Sequence, residues 1–181
     1  MERTALLEKI LGYFANWYDI VRCEQEELPM VATAAFHEHG TAYMISKKAE
    51  MWSTDRHEYA YFFSLPVLDG ETYDACFQKA YDLGLPLVDP DKGNHMNTNI
   101  VVYFLADHVE EDAALRVKKC RIRKNFQFGL KGWMEVHVAA VDTGADTVYA
   151  NGAGRKEKEY LDKVLHPPKD WSAPIRNLLR K

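Results

Sequence analysis

Cysteine is scarce in this chain of 181 residues: only Cys23, Cys76 and Cys120, an odd number, widely spaced and without a CxxC pair. That pattern argues against a disulfide framework and for a reducing compartment, so a cytoplasmic location is expected. Long apolar runs are also missing. No stretch approaches the roughly 18 residues needed to cross a bilayer, and no membrane span is expected. The opening MERTALLEKIL carries charges within its apolar stretch and no small-residue cleavage site, unlike a secretory signal. Several chemical signatures are lacking too: the phosphate loop GxxxxGK[ST], the full GxGxxG, the nucleophile elbow GxSxG and the zincin HExxH. No catalytic motif is found and no cofactor is implied, a divalent metal being the one exception weighed below. Nothing repeats, and no linker divides the chain, so residues 1–181 read as one domain.

What is present is a globular composition, with 47% hydrophobic and 28% charged residues. The net charge of −4 is unevenly spread. Residues 116–133, RVKKCRIRKNFQFGLKGW, hold seven cations and no acid; without those seven, the 23 basic groups fall to 16 against 27 acidic ones, a remainder of −11. An acidic body with one basic band opposes general nucleic-acid binding while allowing a local contact.

Apolar residues at Leu7, Leu11, Phe14, Tyr18 and Val21 predict an amphipathic helix over 4–21. Three strands follow, MVATAAFH, TAYMISKK after a turn at Gly40, and HEYAYFFSL, with KKAEMWSTDR as the link between the last two. Asp69 caps a helix that ends at Gly84 before Pro86. NIVVYFLAD, apolar throughout, is the expected central strand. Asp107 with Glu110 suggests a capping box for a short helix over 108–116. A basic strand, MEVHVAAVD, the turn DTGAD, the short strand TVYA and two helices complete the chain, the last helix capped by Ser172. The expected fold is α+β: a single domain with a mixed, largely antiparallel sheet of about six strands and flanking helices, ordered α-β-β-β-α-β-(α)-β-β-(β)-α-α.

Strand alternation sorts the basic stretch by face. Lys119, Arg121, Arg123, Asn125 and Gln127 share one side, and Cys120, Ile122, Phe126 and Phe128 the other. Matching faces across a hairpin pairs Phe128 with Met134, Phe126 with Val136, Ile122 with Ala140 and Asn125 with His137. Nucleic-acid binding would use Lys119, Arg121 and Arg123 with Trp133 as the stacking platform, since Phe126 and Phe128 fall on the buried side. The plainer reading is a set of cations guarding a strand against edge pairing.

Other constellations are weaker. FHEHG sets His37 and His39 two apart, the spacing of a His-x-His metal pair if extended, with His57, Glu58 or His95 as a third donor. STDRHEYAY brings Asp55, His57 and Glu58 together in sequence, candidates for acid–base catalysis or simply a polar strand entrance. NGAGRK could offer an anion its backbone N–H groups and Arg155, or could be a turn built by Asn151 and Gly154.

The combination MISKKAEMWSTDRHEYAYFF, then NIVVYFLAD, then a basic strand before FGLKGW, resembles a bacterial domain family of uncharacterised function, over residues 35–165. The element order helix–strand–strand–strand–helix–strand also resembles the core of the restriction-endonuclease-like fold. That resemblance implies an aspartate on the second strand and Glu-x-Lys on the third, holding a metal that activates water. Here Ala60 stands where the lysine would be, after Glu58 and Tyr59, and the second strand has no aspartate. Nuclease chemistry is therefore not implied with the fold.

The leading expectation is a non-catalytic binding domain that self-associates or contacts another protein. Its rivals are a nucleic-acid-associated protein using the basic strand 116–131 and a metal-dependent hydrolase or degenerate nuclease.

Overall fold

The computed structural model describes residues 1–43, 50–92 and 95–167, with the backbone alone at 38–43 and 50–54. The expected Ser172-capped helix and the start of the family-like segment at 44–49 fall outside these residues. In chain order the elements are α1 (Arg3–Phe14), β1 (Asp19–Arg22), β2 (Met30–Tyr43), β3 (Glu50–Leu68), α2 (Gly70–Gly84), β4 (His95–Val109), α3 (Glu111–Lys119), β5 (Arg123–Asn125), β6 (Trp133–Asp142), β7 (Thr147–Ala150) and α4 (Arg155–Leu165).

One seven-stranded sheet runs β1-β2-β3-β4-β6-β5, with β7 also on β6. β3, β4 and β6 are mutually parallel; the remaining pairs are antiparallel. The α+β reading with a mixed, mostly antiparallel sheet thus holds. β4 lies between two parallel partners and is buried without interruption from Ile100 to Ala106, as a strand covered on both faces must be.

Helices cover both faces. Tyr73, Cys76 and Ala80 of α2, with Ala113, Ala114 and Val117 of α3, pack on Phe63, Ile100, Val102, Phe104, Val136 and Val138. The opposite face joins Leu6, Ile10 and Phe14 of α1 and Leu161 and Val164 of α4 to Phe62, Val101, Tyr103, Ala139 and Val141. Phe62 stacks on Tyr103 at 4.8 Å, and Phe14 meets both edge-on. Such aromatic contacts add about 0.5–1.5 kcal/mol each beyond area burial.

Five expectations need correction. The helix over 4–21 stops at Phe14, because the Asp19–Arg22 segment finds a better partner in β2, where Asp19 lies opposite Ala35. Gly40 makes no turn: it sits within β2, opposite Thr54, so two expected strands are one, and Glu50–Arg56 of the expected link is strand as well. Asp107 caps nothing, since β4 runs on to Val109 and α3 starts after Glu110, which makes no side-chain cap. Asp69, by contrast, accepts from the Thr72 amide at 2.7 Å as expected.

The fourth and fifth corrections concern the basic stretch, which is not one strand. Arg116, Lys118 and Lys119 form the last turn of α3, whose first turn holds Glu111 and Asp112, an arrangement that complements the helix dipole. Only Arg123–Asn125 is strand, and Arg123 faces Glu135 while Asn125 faces Trp133, four residues out from the expected pairing. The slip is even-numbered, so the faces are as expected. Its cause is the tight turn after Phe126, where Gln127 and Phe128 adopt φ of 45° and 55° and Gly129 and Gly132 are also left-handed. Gly132 admits no side chain, because a Cβ would lie 2.0 Å from the Met96 carbonyl oxygen. Phe128 consequently stands fully in solvent instead of opposite Met134.

Candidate functional site

Alternation along β3 separates the trio read as acid–base candidates. His57 belongs to the α2/α3 face, and Asp55 influences its charge. Glu58 turns to the α1/α4 face, where its carboxylate accepts the Tyr18 hydroxyl at 2.6 Å. On the first face, His37 lies opposite His57 with their Nδ1 atoms 2.9 Å apart, and the His95 ring stacks 6.4 Å beyond. His39 pairs in register with Asp55, but its side chain lies outside the described residues. Among the described residues, no three His, Cys, Asp or Glu side chains are placed to hold a metal.

The nucleic-acid candidates are dispersed. Lys119 ends α3, Arg121 lies in the exposed link, and Arg123 is on β5. Arg123 covers the Trp133 ring, its guanidinium carbon 4.9 Å from the ring centre, and lies 3.8 Å from Glu135. The expected stacking platform is thus occupied by one of the expected cations. Asn151 proves to be a turn builder. Its Oδ1 accepts from the Val138 and Gly154 amides and its Nδ2 donates to the Cys120 and Val136 carbonyls, so every polar atom of this buried side chain is satisfied.

A different cluster emerges on the α1/α4 face. Parallel strands share one direction, so the starts of β3, β4 and β6 meet at one end of the sheet. There Phe36, Glu58, Asn99, Glu135 and Arg123 form a single cross-strand row. One pleat further in stands His137, on the same side of β6 as Glu135. Its Nδ1 is 2.8 Å from Glu157 Oε1 of α4, and its Nε2 is 3.9 Å from Glu135. Asn99 Nδ2 lies 3.5 Å from Glu58 Oε2. Tyr18 and Tyr103 lie close enough to these groups that, after burial, the charges of Glu58 and Glu157 push their ionisation up, while burial and Tyr13 do the same for Tyr160.

The electrostatics are strained. Desolvation, then the charge of Glu157, raise the Glu58 carboxyl above the usual carboxylate range, against the lowering hydrogen bond from Tyr18. Burial pulls His137 down, but the hydrogen bond and charge of Glu157, with Glu58 and Glu135, outweigh it and leave His137 raised. Both shifts run toward the protonated form, driven at Glu58 by burial and the charge of Glu157 and at His137 by its hydrogen bond with Glu157. Two polar atoms remain unsatisfied: Glu157 Oε2 and the Tyr160 hydroxyl are buried without a hydrogen-bond partner. They are three residues apart on α4, hence on one side of that helix. The Glu157 side chain is only 9% exposed.

Sequence reading missed Tyr18, Asn99, Glu135, His137, Glu157 and Tyr160 as a group. A signal existed: each of the three strands begins with polar residues at alternate positions before its apolar run. The β-α-β order aligns those beginnings, because parallel neighbours need a crossover helix.

The family model described as "Domain of unknown function (DUF8052)" matches residues 2–163. No curated protein and no solved structure matches the chain.

Proposed function

We propose that this chain, which belongs to the DUF8052 domain family, is a binding domain whose site is the polar row and its partners on the α1/α4 face. The observation that carries the reading is Glu157 Oε2, a carboxylate oxygen buried without a partner beside a second carboxylate, Glu58, that is already desolvated. An unsatisfied buried acceptor costs about 1–3 kcal/mol, more when charged. A fold retains such a cost where a ligand relieves it. The ligand class follows from the acceptor excess: an amino, amidino or guanidino group donating to Glu157 and Glu58, with Asn99 and the Tyr160 hydroxyl to orient it. Among the described residues no helix is long and apolar enough to cross a membrane, and Cys23, Cys76 and Cys120 are free, which suits a cytoplasmic setting.

The test is calorimetric titration of the full chain with a panel of amines, polyamines and guanidino compounds. The expected result is saturable binding by at least one member, weakened at least tenfold in Glu157→Gln. No binding by any member, or equal binding by the variant, overturns the reading.

Contact with a partner is a second reading, favoured by one surface feature. Phe128 is fully exposed and Leu130 is 87% exposed at the tip of a turn flanked by Lys124 and Lys131. Apolar tips of this kind are interface anchors. The acidic remainder of the chain makes a second copy the fitting partner. Sedimentation of wild type against a Phe128→Ser/Leu130→Ser variant checks it: concentration-dependent dimers in the wild type alone support self-association. A monomer that instead binds DNA or RNA, with affinity falling steeply between about 50 and 200 mM salt, points to the polyanion reading.

A further inference from the structure

If the α1/α4 face binds a cationic group, as proposed above, the way its oxygens are already used decides which head group it takes. A guanidinium pairs best with a carboxylate whose two oxygens both lie open, because its planar fork makes two parallel bonds. Neither buried carboxylate offers that edge. Glu157 Oε1 is 2.8 Å from His137 Nδ1, which leaves Oε2 alone without a partner. At Glu58, Oε1 accepts the Tyr18 hydroxyl at 2.6 Å, and Oε2 faces Asn99 Nδ2 at 3.5 Å.

The open acceptors are therefore single atoms on separate side chains. Glu157 Oε2 and the Tyr160 hydroxyl oxygen are buried and unpartnered, and Glu58 Oε2 is only loosely held. The Glu157 side chain is 9% exposed and Tyr160 7%, so bulk water does not serve them in place of a ligand. Separate acceptors suit a primary ammonium, a compact charge whose N–H donors turn freely to meet them. A quaternary ammonium has no N–H and would leave every one of these oxygens bare.

The surroundings specify what the ammonium is attached to. The Tyr13 and Tyr160 rings stand 5.3 Å apart, and Tyr18 lies 4.4 Å from Phe14 and 5.3 Å from Phe36. Tyr18 and Phe36 are half-buried, and Phe36 is the cross-strand neighbour of Glu58, so these two rings border the approach from solvent. Aromatic faces attract a cation and cover the methylenes behind it.

We propose that the site selects a primary ammonium on an apolar stem. Its N–H groups donate to Glu157 Oε2, the Tyr160 hydroxyl and Glu58, and the stem lies along Tyr18 and Phe36.

Calorimetric titration of the full chain with hexylamine, hexylguanidine and hexyltrimethylammonium tests this, since the three share one stem and differ in the head group. Methylamine serves as the head group without the stem. Hexylamine is expected to bind more tightly than each of the others by roughly tenfold or more. Tyr160→Phe should weaken hexylamine several-fold and leave hexyltrimethylammonium unchanged, an effect that general loss of structure would not give. If hexylguanidine or hexyltrimethylammonium binds as tightly as hexylamine and is weakened by Glu157→Gln, the selectivity is overturned while the binding site stands. Methylamine equal to hexylamine overturns the apolar stem. Binding by none of the four overturns the inference, and failure of the wider amine panel as well removes the site with it.

Discussion

At the scale of single residues, the two groups with opposed environments are adjacent in sequence. Glu58 binds its proton more tightly folded than unfolded, so its contribution to stability declines as pH rises from the ordinary carboxyl value of 4.5 through its raised folded value. His137 adds a favourable contribution that is present below 6.5 and lost as pH rises through its raised folded value. His57, lowered, acts in the other direction and weakens the fold as pH falls below 6.5. Glu58→Gln removes the first effect while keeping an acceptor for Tyr18. Between about pH 5 and 8, thermal melts are expected to decline less for Glu58→Gln than for wild type. At pH 8 the variant should be the more stable, as replacing a desolvated charge commonly is. A variant less stable than wild type across the range would show that Glu58 serves the fold. The sequence revealed Glu58 and His57 but joined them wrongly, because a two-sided strand sends neighbours to opposite faces.

At the scale of elements, legibility followed the strength of the local signal. NIVVYFLAD, the Asp69-capped α2 and the helix at 155–165 were read correctly, since burial, cap and periodicity agree there. The basic stretch was misread because its cations look alike whether they close a helix or line a strand. What decides is Ala113, Ala114 and Val117, whose burial needs helical spacing. Asn151 fastens the junction of β6, β7 and the end of α3. Asn151→Ala strips partners from several buried backbone groups at once, and a loss of roughly 2–4 kcal/mol is expected by denaturant titration. Gly132→Ala should also destabilise, through the clash with Met96 and the left-handed φ.

At the scale of the whole molecule, the three parallel strands are expected to open last, since they hold the most deeply buried part of the sheet. Amide exchange is expected to be slowest in β4 from Ile100 to Ala106 and fast in β1 and β5, which are short and mostly exposed; comparable protection in β5 and β4 would contradict this. Sheet order is also where sequence reading stopped, since nothing local states that β5 and β7 share one side of β6. That sharing gives the sheet unlike borders. One border is cut into runs of three and four residues, with Arg123 and Lys124 on the first. At the other, β1 covers only Ala32–Ala35, and the outer rim of β2 from Phe36 to Tyr43 has no strand beside it among the described residues. Among the described residues, this leaves the Phe36–Tyr43 rim of β2 with backbone donors and acceptors turned outward, while Arg123 and Lys124 guard the opposite border against edge pairing.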